Sequence, residues 1–239
     1  MKMTALKKFL AVGILVSTLL AVGCKKNNYF KDTGVNKADF SGTVLDYLKS
    51  KPDYFDSIVK IVHIAGLDDV FSKEKITFFA PSDSSVRMTL SLLNIVLRNQ
   101  GEEEVTRLEQ IKPEVWRAQL TRYLFKGEKS MNDYPQLDFT NLSAFPGQIY
   151  SAYDGQIMNV GVIYNDAGGV KYAGYRQLSI SYIPSTTSPR DFQSWYPAIV
   201  ASVNIHPTNG YVHVLVYPSH YFGFEPFQFI ENAIAAGID

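Results

Sequence analysis

The feature that most constrains the fold is a change of hydrophobic period partway along the chain. Up to about residue 126, apolar residues recur every three or four positions, as at Phe55, Ile58 and Val62. This is the spacing of an amphipathic helix. From residue 147 to 216 the chain is instead rich in β-branched residues and Tyr, with turn residues between the apolar runs. Helices followed by strands predict an α+β fold rather than alternating β and α units.

Capping and turn residues divide the helical half into segments. Thr43 and Asp46 form a capping-box pattern, and Pro52 ends the short helix that follows. Ser82 and Asp83 stand where the side chain of an N-cap accepts the free N–H groups of a helix. The predicted elements are a helix after Thr43, a helix capped by Asp53 and stopped at Gly66, a strand at 76–80, a helix from 83 to about 100, and a helix from Pro113 through Leu124.

The second half predicts strands and a hairpin. Residues 156–164 and 170–183 flank the turn Asn165-Asp166-Ala167-Gly168-Gly169, so they are expected to pair as a β-hairpin. Two further strands are predicted at 199–205 and 211–217, on either side of a turn that contains Asn209-Gly210. The sequence has no internal repeat, which favours one domain.

The N-terminus predicts export and lipid attachment. Lys2, Lys7 and Lys8 precede a charge-free, mainly apolar run from Phe9 to Val22, which is too short to span a bilayer as a helix. This pattern indicates a signal peptide over residues 1–23. Gly23-Cys24 resembles the end of a bacterial lipobox, so acylation of Cys24, with chains such as palmitate, is expected to make membrane lipid a partner. The polar residues 24–40 then form a tether.

Charge and cysteine content exclude several classes of protein. The chain has 23 basic and 23 acidic residues, and removal of residues 1–23 leaves a net charge of −3. A nucleic-acid partner is therefore not expected, because such proteins carry an excess of positive charge. Cys24 is the only cysteine, so no disulfide forms within one chain.

Two segments together resemble the signature motifs of the fasciclin domain family. The first is Ile76-Thr77-Phe78-Phe79-Ala80-Pro81-Ser82-Asp83, and the second is Asn209-Gly210-Tyr211-Val212-His213-Val214-Leu215. The matching positions are Phe79, Ala80, Pro81, Ser82, Asp83, Asn209, Gly210 and His213. Their expected role is structural. For His213, flanked by valines in a predicted strand, we expect a hydrogen bond to backbone inside the fold.

The resemblance implies a single fasciclin-like domain over residues 41–239, with a helical half packed on a β-sandwich or wedge. An extra β-hairpin and loop around 140–197 lengthen the chain between the motifs. Similar fasciclin-domain lipoproteins occur among Bacteroidota. The family often has a Tyr-His pair after its central helix, but Tyr123-Leu124 stands here. The adhesive activity linked to that pair in animal members is therefore not carried over.

The residues indicate binding rather than catalysis. No paired acids, nucleophile elbow, phosphate loop, metal-ligand pattern or cofactor motif is present, and His206, His213 and His220 are not expected to bind a metal. Trp195 and Tyr196 are the candidate exposed ligand-binding residues, although packing of the aromatic residues in the core is the alternative. The expected function is adhesion or recognition of a glycan or protein at the outer membrane. The alternative is an accessory subunit of an outer-membrane polysaccharide-uptake or transport complex.

Overall fold

The computed structural model describes residues 39–216 and 220–239. Cys24, the predicted signal peptide and nearly all of the predicted tether lie outside these residues. The helices are α1 (Val44–Lys49), α2 (Pro52–Ile64), α3 (Asp68–Lys73), α4 (Asp83–Gln100), α5 (Pro113–Leu120) and α6 (Pro226–Ala236). The strands are β1 (Ile76–Ala80), β2 (Leu124–Lys126), β3 (Gln136–Leu137), β4 (Gln148–Ser151), β5 (Ile157–Tyr164), β6 (Arg176–Tyr182), β7 (Tyr196–Ile205) and β8 (Gly210–Leu215). The predicted α+β class is confirmed.

Local capping begins α1 where the sequence predicts it. The Asp46 N–H donates to Thr43 Oγ1 at 3.2 Å, and the Thr43 N–H donates to Asp46 Oδ2 at 2.9 Å. These bonds satisfy N–H groups that the first turn of a helix leaves free, and such a cap contributes about 1 kcal/mol. The Thr43 backbone and hydroxyl bonds lower the pKa of Asp46.

Two predicted caps are wrong. Helix α2 begins at Pro52 after Lys51, so Asp53 lies inside its first turn. Ser82 precedes α4 but makes no capping bond. The Asp83 carboxylate turns away from its own helix and accepts the N–H groups of Ser57 at 2.9 Å and Ile58 at 3.3 Å. Asp83 therefore joins α4 to α2, because α2 packs close enough to compete for this acceptor.

Helix α5 ends earlier than predicted. It stops at Leu120, a 3₁₀ turn covers Thr121–Tyr123, and Leu124 opens β2. Strand β2 pairs antiparallel with β1, with Phe78 opposite Leu124. Leu124 continues the helical spacing of the apolar residues in α5, but pairing with β1 places it in a strand at the edge of the sheet. Tertiary pairing therefore outweighs local helix propensity at this residue.

The strands form one continuous mixed sheet of eight, in the order β2-β1-β8-β7-β6-β5-β3, with β4 also paired to β5. The predicted hairpin is β5 and β6, which pair antiparallel from Met158 opposite Tyr182 to Tyr164 opposite Arg176. Strand β6 continues the sheet through β7. Val160 and Ile180 of the hairpin are fully buried, so the hairpin contributes to the main hydrophobic core.

The C-terminal helix α6 was not predicted. Pro226 begins it, and Phe229, Ile230 and Ala233 face the core at helical spacing. The Phe229 ring lies 5.3 Å from the ring of Trp116 in α5. Within residues 39–216 and 220–239, no helix is both long and apolar enough to cross a bilayer.

Candidate functional site

The two motif segments lie side by side in the sheet, although about 130 residues separate them in sequence. Strands β1 and β8 pair in parallel, with Ile76 opposite Gly210 and Phe79 opposite His213. Every residue of β1 is buried. The motifs therefore pair with each other in a buried part of the sheet.

Asn209 joins three parts of the chain just before β8. Its Oδ1 accepts the N–H of Val44 in α1 at 2.7 Å. Its Nδ2 donates to the carbonyls of Phe71 at 3.1 Å and Glu74 at 2.9 Å, at the end of α3. The sequence predicted only a turn residue here, but the Asn209 side chain is buried and makes three hydrogen bonds to backbone groups.

His213 is completely buried and bonds to backbone on both sides of its ring. The Asn204 N–H donates to Nδ1 at 3.2 Å, and Nε2 lies 3.0 Å from the Lys129 carbonyl. Nδ1 must accept and Nε2 must donate, so these partners assign the neutral Nε2–H tautomer. Burial, opposed by the bond to Lys129, lowers the pKa of His213 to about 4.

The loop from Gly127 to Met131 is held by three neighbouring strands. From β1, Thr77 Oγ1 donates to the Gly127 carbonyl at 2.8 Å and accepts the Lys129 N–H at 2.9 Å. From β8, His213 holds the Lys129 carbonyl. From β7, Asn204 Oδ1 accepts the Met131 N–H at 2.7 Å. Residues of both motif strands thus fix the backbone of Lys129, whose side chain is half-buried.

Beside this loop lies a cavity of about 310 Å³, here called the Tyr–Lys groove. Its lining residues are Phe125, Lys126, Lys129, Tyr134, Tyr150, Ser151, Ala152, Tyr153 and Gly155. The rings of Tyr134 and Tyr150 meet edge to face, with centroids 5.5 Å apart. The volume is at the lower end of the range for small-ligand sites, about 300–1,000 Å³.

Two lysine ammonium groups face aromatic rings in this groove. Lys129 Nζ lies 5.9 Å from the Tyr134 centroid and 5.6 Å from the Tyr150 centroid. Lys126 Nζ lies 5.0 Å from the Tyr153 centroid. Neither lysine forms an ion pair with a carboxylate in the part of the chain that the structure describes. Both charges therefore remain available to a ligand.

The tyrosine hydroxyls of the groove stay protonated at neutral pH. Burial raises the pKa of Tyr134 and of Tyr150, and nearby Asp133 adds to the rise at Tyr150. Burial and the bond to Glu74 raise the pKa of Tyr153. Tyr153 Oη donates to the Glu74 carboxylate at 2.9 Å and 3.0 Å, which fixes that ring. The groove thus presents neutral rings and two cations.

The exposure predicted for Trp195 is wrong. Its side chain is only 7% exposed and packs edge to face on Phe192, with centroids 5.0 Å apart. Tyr196 is 37% exposed and borders a second cavity of about 330 Å³ with Glu225, Gln228 and Glu231. The loop folds its large ring inward because an indole buries much apolar area.

Sequence reasoning noted Tyr150 and Tyr153 among the aromatic residues but did not select them. It missed Lys126, Lys129 and Tyr134 as site residues. The available signal was two lysines and a tyrosine within nine residues after a short strand. This signal is weak, because nothing in the sequence places residues 126–134 against residues 150–153.

The three histidines do not share a site. His213 is buried, and His206 Nδ1 lies 3.1 Å from Asp39 Oδ1. His220 is buried beside Tyr123, and burial lowers its pKa to about 4. Among the described residues, no group of three His, Cys, Asp or Glu side chains is arranged to hold a metal ion.

Acid is expected to destabilise the fold through His213 and His220. Both have native pKa values of about 4, against 6.5 for an ordinary His. Between these values the unfolded chain binds more protons, so the free energy of unfolding falls as the pH falls. We expect a loss of about 4 kcal/mol between pH 7 and pH 5, measured by urea unfolding.

The control is His63→Gln, because the His63 side chain is 81% exposed. This variant should retain the same pH dependence as the unmodified chain. Equal stability at pH 7 and pH 5 would contradict the neutral, buried state of the two histidines.

One solved structure similar to this chain is a FAS1 domain pair from the insect cell adhesion molecule fasciclin I. The two share 19% sequence identity, with a TM-score of 0.46. The similarity covers 74% of this chain and 50% of that chain, so this chain spans half the length of that structure. No protein-family model matches the chain, and no curated protein matches it either.

Proposed function

We propose that this chain is a non-catalytic, fasciclin-type recognition module of the bacterial cell envelope, which binds a glycan or an envelope protein. The observation that carries this proposal is the Tyr–Lys groove, where three tyrosine rings and two free ammonium groups line one cavity. The two motif segments support the fasciclin-type assignment, because they lie adjacent in the sheet and together hold the Lys129 loop.

The groove is suited to binding because its parts are already in position. Thr77, His213 and Asn204 bond the loop backbone, so little conformational entropy remains to be lost when a ligand binds. Tyrosine rings offer flat apolar faces to a sugar ring or an apolar side chain, at low entropic cost. The mechanism is recognition by a rigid surface rather than closure around a substrate.

Two carboxylates beside the groove are occupied by other bonds, which favours binding over hydrolysis. Glu74 accepts the hydroxyl of Tyr153, and Asp133 accepts the N–H and the hydroxyl of Ser130 at 2.7 Å each. Hydrolysis of a glycosidic bond generally needs two carboxyl groups facing each other across the substrate. These two serve instead to orient a ring and a turn.

The proposal includes attachment to the outer membrane through acylated Cys24. Lipid attachment would keep the domain at the membrane surface and raise its effective concentration for a ligand there. Labelling of the chain with a radioactive fatty acid, with and without Cys24→Ser, tests this part separately. Absence of label from the unmodified chain would contradict the proposed acylation of Cys24.

The first test of the proposal is the Tyr150→Ala variant. Tyr150 lines the groove and faces Lys129, so loss of its ring is expected to weaken binding by up to about tenfold, from lost stacking of as much as about 1.5 kcal/mol. The full chain is screened on a glycan array and in pull-downs from envelope extract, and the affinity for each hit is measured by calorimetry.

Tyr175→Ala and Tyr196→Ala are the matched controls. Tyr175 is 61% exposed outside the groove, and Tyr196 borders the second cavity. Both should bind like the unmodified chain, with the fold of each variant checked by thermal unfolding. Loss of binding in Tyr196→Ala alone would move the site to the second cavity. Capture of a single transporter component, unaffected by Tyr150→Ala, would favour an accessory subunit.

A further inference from the structure

We infer that the Tyr–Lys groove selects an anionic sugar residue, whose acidic group is held by Lys126 and Lys129 while its ring packs on tyrosine. This inference rests on the proposed recognition function and narrows its ligand class. It follows from the two ammonium groups of the groove, from the state of its hydroxyls and from its three tyrosine rings.

Two ammonium groups face the groove, and neither forms an ion pair with a carboxylate among the described residues, although Asp133 and Glu74 lie beside the groove. Each ammonium group faces a ring centroid at 5.0 to 5.9 Å. A ring face attracts a cation but does not neutralise its charge, so each ammonium group can still bind an anion. A neutral sugar would pack on the tyrosine rings but would make no ionic contact with the lysines. An acidic sugar would pack on the tyrosine rings and also place its acidic group against the lysine ammonium groups.

The hydroxyls of the groove add to this preference. Burial raises the pKa of Tyr150, so its phenol is a neutral O–H donor at physiological pH. Its hydroxyl has no hydrogen-bond partner among the residues that the structure describes, and Ser151 next to it is exposed. Donors and cations are the groups that bind a carboxylate or sulfate oxygen.

A sugar is favoured over an acidic peptide because the three tyrosine rings that line the groove suit the flat apolar face of a sugar ring. An extended peptide usually binds by adding a strand to an exposed edge. Here the Tyr153 N–H donates to the Leu124 carbonyl at 2.8 Å and links the end of β4 to β2. Strand β4 pairs with β5 along one edge only, from Gln148 to Ser151, so addition of an acidic peptide at its other edge is the alternative that the experiment tests.

The experiment compares trigalacturonic acid with its fully methyl-esterified form, which has the same sugar rings and no charge. Binding of each to the full chain, purified in mild detergent, is measured by calorimetry at low and at physiological salt. We expect the acid to bind at least about fivefold more tightly than the ester at low salt, with the preference reduced as salt screens the charges.

The Lys126→Gln/Lys129→Gln double variant is expected to lose that preference. The substitution leaves the Lys129 backbone bonds to Thr77 and His213 intact, so the loop should keep its position. Lys126→Arg/Lys129→Arg should retain the preference because it retains the charge. Lys60→Gln is the control, since Lys60 pairs with Asp56 outside the groove.

The outcomes separate this inference from the function on which it rests. Equal binding of acid and ester, lost in Tyr150→Ala, would overturn the anionic preference and keep a glycan site. No binding of either saccharide, with capture of an acidic peptide by the lysines, would overturn the sugar assignment. No ligand of any class at the groove would overturn both proposals.

Discussion

Replacing Gly210 with Ala is expected to prevent stable folding. Gly210 opens β8 with φ of +154°, opposite Ile76 of β1. A Cβ atom at this position would lie 1.8 Å from the Ile76 carbonyl oxygen, so one of the two strands must move. Both strands are in the core, and their displacement would separate the two motif segments. The expected loss of unfolding free energy exceeds about 4 kcal/mol.

Chemical unfolding followed by far-UV circular dichroism measures this effect. The control is Gly101→Ala at the end of α4, where φ is +80° but nothing lies within 4 Å of an added Cβ. That variant should lose only about 1 kcal/mol, from the left-handed backbone alone. A Gly210→Ala variant as stable as Gly101→Ala would show that β1 and β8 do not approach as closely as described.

Replacing Asn209 with Ala is expected to lower the unfolding free energy by about 3 to 5 kcal/mol. The change removes the bonds to Val44, Phe71 and Glu74, and it leaves the Val44 N–H and the Phe71 carbonyl unpaired in a buried setting and the Glu74 carbonyl unpaired in a partly buried one. Each buried group without a partner costs about 1–3 kcal/mol. The loss should appear as a lower urea midpoint with an unchanged slope.

Asn141→Ala is the matched control for Asn209→Ala. Asn141 is exposed, and its side chain accepts a bond from Ser143 at 3.1 Å. Its removal should change stability by no more than about 0.5 kcal/mol. A comparable effect of the two variants would mean that Asn209 acts as a turn residue, without the three-way connection.

These effects give the motif segments a specific role in the candidate site. Gly210 and Asn209 allow β8 to lie against β1, and this contact places Thr77 and His213 under the Lys129 loop. The motif residues are therefore expected to support the groove without touching its ligand. Substitutions in the motifs and in the groove should accordingly differ, the former lowering stability and the latter lowering affinity.

Much of the secondary structure could be read from neighbouring residues. The capping box of Thr43 and Asp46, the strand Ile76–Ala80, and the helix ending near Gln100 lie where the sequence predicts them. The β5–β6 hairpin also follows from its turn. These features depend on contacts between residues a few positions apart, so the local chain contains the information. Helix α6 was missed although Pro226 and its apolar spacing were available signals.

Other features arise from contacts between distant residues, which a single sequence does not reveal. Asp83 prefers the N–H groups of α2 to those of its own helix because the two helices pack together. Trp195 is buried because its loop folds over it.

The Tyr–Lys groove also arises from contacts between residues that are distant in the sequence. Residues 126–134 and 150–153 meet only when β2, β4 and β5 take their places in one sheet. Local hydrogen bonding and hydrophobic period thus set the elements and the fold class. Burial, and competition for hydrogen-bond partners across the assembled fold, set the site.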